Sequence, residues 1–134
     1  MKRLTVDVAP GDYTVSRLPA GTEPPRIAAA GLVSITSTPT EVSVVCPSEH
    51  APETEHAHPG WRLLTVRGPL EFDLTGIMAA LAGELAAAGV SLFAVSTYDT
   101  DHVLVKATDL DRAVKALSEA GHEISSVPRR KLGA

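Results

Sequence analysis

Between residues 61 and 127 the chain alternates two kinds of apolar pattern, and that alternation limits what it can fold into. Leu74, Ile77, Met78, Leu81, Leu85 and Ala88 recur at three- and four-residue steps, which places them on one face of a helix. Leu110, Ala113, Val114 and Leu117 repeat the pattern further on. Around these segments lie short runs rich in β-branched and aromatic residues: Trp61 to Val66, Val90 to Val95, His102 to Ala107 and His122 to Val127. Gly68-Pro69, Gly89, the polar stretch 96–101, Gly121 and Pro128 separate them. Asp73 or Thr75 can cap the first helix, and Thr108 to Asp111 has the spacing of a capping box in an acidic form.

The order is β-α-β-β-α-β, the split βαβ or ferredoxin-like arrangement. It predicts an α+β fold in which two helices cover one face of a four-stranded antiparallel sheet. Aromatic residues are only 4% of the chain, so the core must be built from Ala, Val, Leu and Ile.

The first half carries a fainter version of the same plan. Leu4 to Val8 and Tyr13 to Leu18 read as strands joined at Pro10-Gly11-Asp12. Residues 19–26 read as a Pro/Gly-rich loop, and Ile27 to Ala30 leaves room for one helical turn at most. Leu32 to Thr36 and Val42 to Cys46 form a hairpin around 37–41, and 47–60 is polar with at most a short helix. The stretch Ser37-Thr38-Pro39-Thr40-Glu41-Val42-Ser43-Val44-Val45 parallels Ser96-Thr97-Tyr98-Asp99-Thr100-Asp101-His102-Val103-Leu104-Val105 with one gap. The expected organisation is a duplication: a degenerate module over 1–60, a fuller module over 61–128 and a tail over 129–134, the two modules sharing a sheet or core.

Several function classes lose support. The net charge is -4, and the one basic cluster, Arg129, Arg130 and Lys131, sits in the tail, so no nucleic-acid-binding face is visible. No run approaches the ~18 apolar residues of a membrane span. The first residues do not read as a signal peptide. Cys46 is the single cysteine, which rules out an intrachain disulfide, and its apolar strand suits a buried thiol. A cytoplasmic protein without a cofactor is the expectation. Glu53, Glu55, His56 and His58, with His50 nearby, are read as a solvated loop rather than a metal site. His102 and His122 are read as structural. There is no GxGxxG or GxxxxGK[ST] loop and no recognisable nucleophile context.

Residues 72–122 resemble an ACT domain. The features that carry the likeness are Leu74-Thr75-Gly76-Ile77 before the first helix, Ala88-Gly89-Val90 after it, and the Ser96 to Asp101 hairpin. The hairpin is similar to small bacterial two-ACT proteins and to the ACT modules of the CASTOR amino-acid sensors and aspartate kinases, and residues 41–49 and 60–70 resemble the same small bacterial family. The resemblance implies a regulatory protein that binds a small effector of the amino-acid class and has no catalytic role.

Two segments are candidates for holding that effector. Asp73, Leu74, Thr75, Gly76 and Ile77 run from strand into helix, where free N–H groups suit a carboxylate and Gly76 admits close approach. Equally, these residues can simply cap the helix and make room for packing. Ser96, Thr97, Tyr98, Asp99, Thr100 and Asp101 offer hydroxyls and two carboxylates for an ammonium or guanidinium group, or form a plain polar turn. Sheet edges left unpaired make a homo-oligomer, in the simplest case a homodimer, the expected assembly. An interaction module that works through association without a ligand is the competing reading.

Overall fold

A computed structural model of the chain describes residues 3–68 and 76–126. These contain eight strands and two α-helices. The strands are β1 (Thr5–Val8), β2 (Tyr13–Pro19), β3 (Ser34–Ser37), β4 (Glu41–Pro47), β5 (Ala57–Val66), β6 (Leu92–Ser96), β7 (Asp101–Lys106) and β8 (Glu123–Ser126). The helices are α1 (Ile77–Ala87) and α2 (Leu110–Glu119). The chain divides into two compact units, Gly11–Trp61 and the described residues of Met1–Pro10 with Arg62–Ala134.

In the Gly11–Trp61 unit the strand order is β3-β4-β2-β5, all antiparallel. This is the ferredoxin-like order without its helices. Ile27 to Ala30 adopts no regular structure, and Ser48–His50 forms a single 3-10 turn. Ile27, Val33 and Ala51 take over part of the missing helices' task by packing on Val42, Val44 and Cys46. Tyr13 is buried, and its hydroxyl accepts a hydrogen bond from the Leu32 amide at 3.1 Å. Burial raises the Tyr13 pKa above the ordinary phenol value. Gly31 is required beside it, because a Cβ there would overlap the Tyr13 hydroxyl.

Strand β5 begins at Ala57, four residues before the start expected at Trp61. His58-Pro59-Gly60 reads as loop sequence, yet the pairing of β2 with β5 moves from Tyr13–Trp61 to Val15–His58 and so passes over an extra residue. A β-bulge accommodates both oddities. Gly60 takes φ +83°, and Pro59 sits where the ladder is already interrupted.

The second unit follows the β5-α1-β6-β7-α2-β8 order read from the sequence. Its sheet holds one strand more than expected. β1 lies between β5 and β8, antiparallel to β5 and parallel to β8, and the order continues from β5 to β7 and β6. The sheet is therefore mixed rather than purely antiparallel. Residues 3–10 pack with the second half of the chain and not in a module over 1–60.

The helices bury the faces expected of them. Ile77, Leu81 and Leu85 of α1 and Ala113 and Leu117 of α2 join Val6, Val8, Leu64, Val66, Val103 and Val105 in one core. At about 25 cal/mol per Å2 of apolar surface removed from water, this cluster is the main source of the unit's stability. Gly89 (φ +75°) and Gly121 (φ +100°) close the two helices, with Val90 N–H donating to Leu85 and His122 N–H to Leu117. The expected caps differ. The N-cap of α1 is Gly76, with no side-chain hydrogen bond, and Asp73, Leu74 and Thr75 lie outside the described residues. The Thr108–Asp111 capping box does not form, because the 3-10 turn Ala107–Asp109 leads straight into α2. Asp109 instead pairs with Arg112 at 3.5 Å.

His122 ties three elements together. It is buried, its Nδ1 accepts from the Leu4 amide at 3.1 Å, and its Nε2 meets the Glu84 carboxylate at 3.0 Å. The backbone donor at Nδ1 places the ring proton on Nε2, facing Glu84. Cys46 is fully buried, and burial followed by the charge of Glu49 pushes its thiol pKa up. Both effects disfavour the thiolate. Among the described residues no helix is long and apolar enough to cross a membrane.

Candidate functional site

The hairpin between β6 and β7 turns at Tyr98-Asp99. Thr97 N–H donates to the Thr100 carbonyl at 2.9 Å, and Ser96 pairs across the strands with Asp101. Most of the hairpin's polar side chains are occupied within the fold. Ser96 Oγ donates to Asp101 Oδ1 at 2.7 Å. Thr97 Oγ1 donates to the Thr100 carbonyl at 3.1 Å and lies 3.2 Å from His102 Nε2. The Thr100 hydroxyl donates to the Val66 carbonyl. Tyr98 is 83% exposed, and Asp99 is exposed at the tip.

The Thr100–Val66 bond locates this hairpin at the C-terminal end of β5. From that end the chain passes on to α1. The helix starts at Ile77, whose side chain is buried in the core, so Ile77 contributes to packing and only its backbone is available to a ligand. Gly76 has φ +80°, and a Cβ there would meet nothing within 4 Å. Its freedom from a side chain serves the left-handed conformation. Among the described residues no side chain caps the first N–H groups of α1.

His102 links the hairpin to β5, a connection the sequence did not reveal. Its Nδ1 is 2.9 Å from the Thr65 hydroxyl and its Nε2 contacts Thr97, so both ring nitrogens meet threonines. Burial lowers the imidazole pKa below the ordinary histidine value, and the neighbouring Asp101 charge opposes that shift in part. On the next strand over, Asp7 pairs in register with Thr65 and is gripped by Nε and Nη2 of Arg67.

A depressed histidine pKa means that the unfolded chain binds more protons than the folded one in the window just below the unfolded value of ~6.5. Stability from His102 is complete above that value and declines as pH falls through the window. Denaturant unfolding followed from pH 7.5 downward should show this decline, and His102→Gln should flatten it. Superimposable profiles for the two proteins would show that His102 titrates as it does in the unfolded chain.

The polar segment between β4 and β5 is an exposed turn and loop, and His58 lies beyond it on β5. His50, Glu55, His56 and His58 are exposed. The Thr54 hydroxyl donates to the Arg17 carbonyl at 3.0 Å and accepts from the His56 amide at 3.2 Å. The pattern is that of a turn pinned to β2.

Comparison with known proteins places this geometry. The family model for the ACT domain matches residues 56–119. The chain contains an ACT domain over that span. The matched span takes in β5, both helices, the hairpin and His102, the part of the chain in which the fold is most complete. Along 67 residues this ACT protein is 37% identical to the human cytosolic arginine sensor for mTORC1 subunit 1. That alignment takes in 49% of this chain, and the chain spans about a fifth of that relative's length, 20%. Protein Atu0741 from Agrobacterium tumefaciens is 34% identical over 98% of both chains, with a TM-score of 0.88. The regulatory subunit of aspartate kinase from Thermus thermophilus is 13% identical, with 90% of this chain and 99% of that one covered and a TM-score of 0.67. The last likeness is one of fold.

Proposed function

We propose that this ACT protein is a non-catalytic regulatory module that binds a small effector, of the amino-acid class, at the C-terminal end of β5. The observation that carries the reading is the Thr100–Val66 hydrogen bond, which sets the hairpin at the end of β5 from which the chain leads on to α1. The first turn of α1 presents backbone N–H groups that no described side chain caps, beside Gly76, a setting for a carboxylate. The hairpin latched to Val66 supplies Asp99 and Asp101 for an ammonium or guanidinium group. An amino acid carries both charges. The likeness to an arginine sensor supports the class of ligand, and an output that passes through a partner or a change of assembly belongs to the same reading. Within this reading the helix-poor Gly11–Trp61 unit is a reduced ACT module, and the protein works in the cytoplasm.

The two aspartates have different parts. Asp101 is engaged with Ser96, so it shapes the hairpin as well as charging it. Asp99 is exposed at the tip, which makes it the cleaner probe. Asp99→Ala should weaken effector binding about tenfold, the value of one charge-assisted contact near 1.4 kcal/mol, while the unfolding curve stays unchanged. Calorimetric titration of both proteins with the effector checks this. Equal affinities would take the hairpin tip out of the site.

A second reading, association without a ligand, draws on the strands β3, β6 and β8. Among the described residues each pairs on one side alone.

A further inference from the structure

Three hydrogen bonds run one way from β5 into the turn of the β6–β7 hairpin. Each hydroxyl has one proton to give. That of Thr97 goes to the Thr100 carbonyl at 3.1 Å, so Thr97 Oγ1 accepts from His102 Nε2–H at 3.2 Å. His102 Nδ1 is then bare and accepts from the Thr65 hydroxyl at 2.9 Å. The relay passes from Thr65 to His102, to Thr97 and to the Thr100 carbonyl, and it requires a neutral ring with its proton on Nε2. The Thr100 hydroxyl donates back to the Val66 carbonyl and closes the circuit on β5. The turn is thus fastened to β5 at two points, and one of them can take up a proton.

Protonation changes that point in two ways. An imidazolium donates from both nitrogens, so the Thr65 link must reverse, and the Thr65 proton loses its acceptor. The ring also gains a charge in a half-buried place, which burial opposes, in line with the lowered pKa of His102. Proton uptake therefore favours arrangements in which the ring reaches water, with the turn lifted from β5. Few charges surround the ring within its own unit. Asp101, its neighbour on β7, favours the imidazolium, and an imidazolium in return offsets the Asp101 charge. Strand β6 sets Val95 opposite His102 and carries no ionisable side chain. Beyond Thr65 on the β5 side stands Arg67, closed in an ion pair with Asp7 of β1. Asp99 is exposed at the tip.

We propose that His102 is a positioning residue through which pH controls the hairpin: the neutral ring holds the turn on β5, and a proton loosens it and offsets Asp101, so that an effector cation is held less well. The loss of effector rests on the hairpin's place in the site proposed above, whereas the latch exists with or without a ligand.

Side-chain nitrogen NMR of the ligand-free full chain tests the latch. Above neutral pH His102 should show the Nε2–H form. On acidification it should take up its proton below the ordinary value of ~6.5, and the Thr97 and Thr100 amide signals should move with the same midpoint. The opposite tautomer, a midpoint at or above that value, or Thr97 and Thr100 amides indifferent to it would overturn the proposal. Thermal unfolding with the twenty amino acids, run above and below that midpoint, reads the effector. The stabilisation by a binding amino acid should fall to about half below the midpoint, as for a roughly tenfold weaker affinity at ~100 times the dissociation constant. His102→Gln can donate to Thr97 and accept from Thr65 but takes up no proton, and it should erase the difference. Equal stabilisation on both sides of the midpoint in the wild-type protein would overturn the control of binding. A panel flat on both sides, with His102 and the turn titrating together, would remove the effector site and leave the latch standing.

Discussion

Replacing His122 by alanine should lower the stability of this protein by about 3 kcal/mol, a value in the upper part of the single-mutation range. The imidazole is almost fully enclosed, and it joins the backbone at Leu4, before β1, to Glu84 on α1. Three losses coincide in His122→Ala. The Leu4 amide, in a residue only 6% exposed, loses its acceptor, at a cost of about 1–3 kcal/mol. Glu84 loses its partner, and the buried ring leaves a void. The unfolding temperature should fall by on the order of 10 °C. His122→Gln offers an oxygen to Leu4 and an NH2 group to Glu84, and it should recover part of the loss. A His122→Ala protein within about 0.5 kcal/mol of wild type would show that the bridge contributes nothing net.

The position of His122 also explains why part of the fold could not be read in advance. The periodic apolar residues of α1 and α2 and the hairpin of β6 and β7 are local signals, and the structure follows them closely. The placement of β1 is not local. Its neighbours are β5 and β8, and the hydrogen bond that anchors its approach spans 118 residues of sequence. Adjacency to β2 across Pro10-Gly11-Asp12 suggests a simple hairpin, but β2 pairs with β4 and β5 instead.

Two other departures have local causes. Pro59-Gly60 normally marks a loop, and a bulge absorbs it within a continuous strand. Thr108 and Asp111 have the spacing of a capping box, but the 3-10 turn Ala107–Asp109 carries the chain straight into α2, so that Asp109 stands at the helix start and pairs with Arg112.

At the candidate site, composition revealed which residues are polar and the structure revealed how they are used. Ser96, Thr97, Thr100 and Asp101 spend their hydrogen bonds on the hairpin and its attachment to β5. They form a stiff frame that leaves Asp99 exposed at its tip, the side chain that the proposed site would offer to a ligand. No spacing rule joins Thr65 to His102, since they come from separate strands. A half-buried histidine between two threonines becomes visible only once β5 and β7 are side by side.

A ligand specific to the folded state must stabilise it. At ~100 times its dissociation constant such a ligand adds ~2.7 kcal/mol, which corresponds to a rise in unfolding temperature of several degrees. Thermal unfolding of the full chain against the twenty amino acids, each at two concentrations, therefore tests effector binding itself. One amino acid or a chemically related few should raise the unfolding temperature, more at the higher concentration, and Asp99→Ala should reduce the rise. A panel in which no amino acid shifts the transition at either concentration would contradict effector binding.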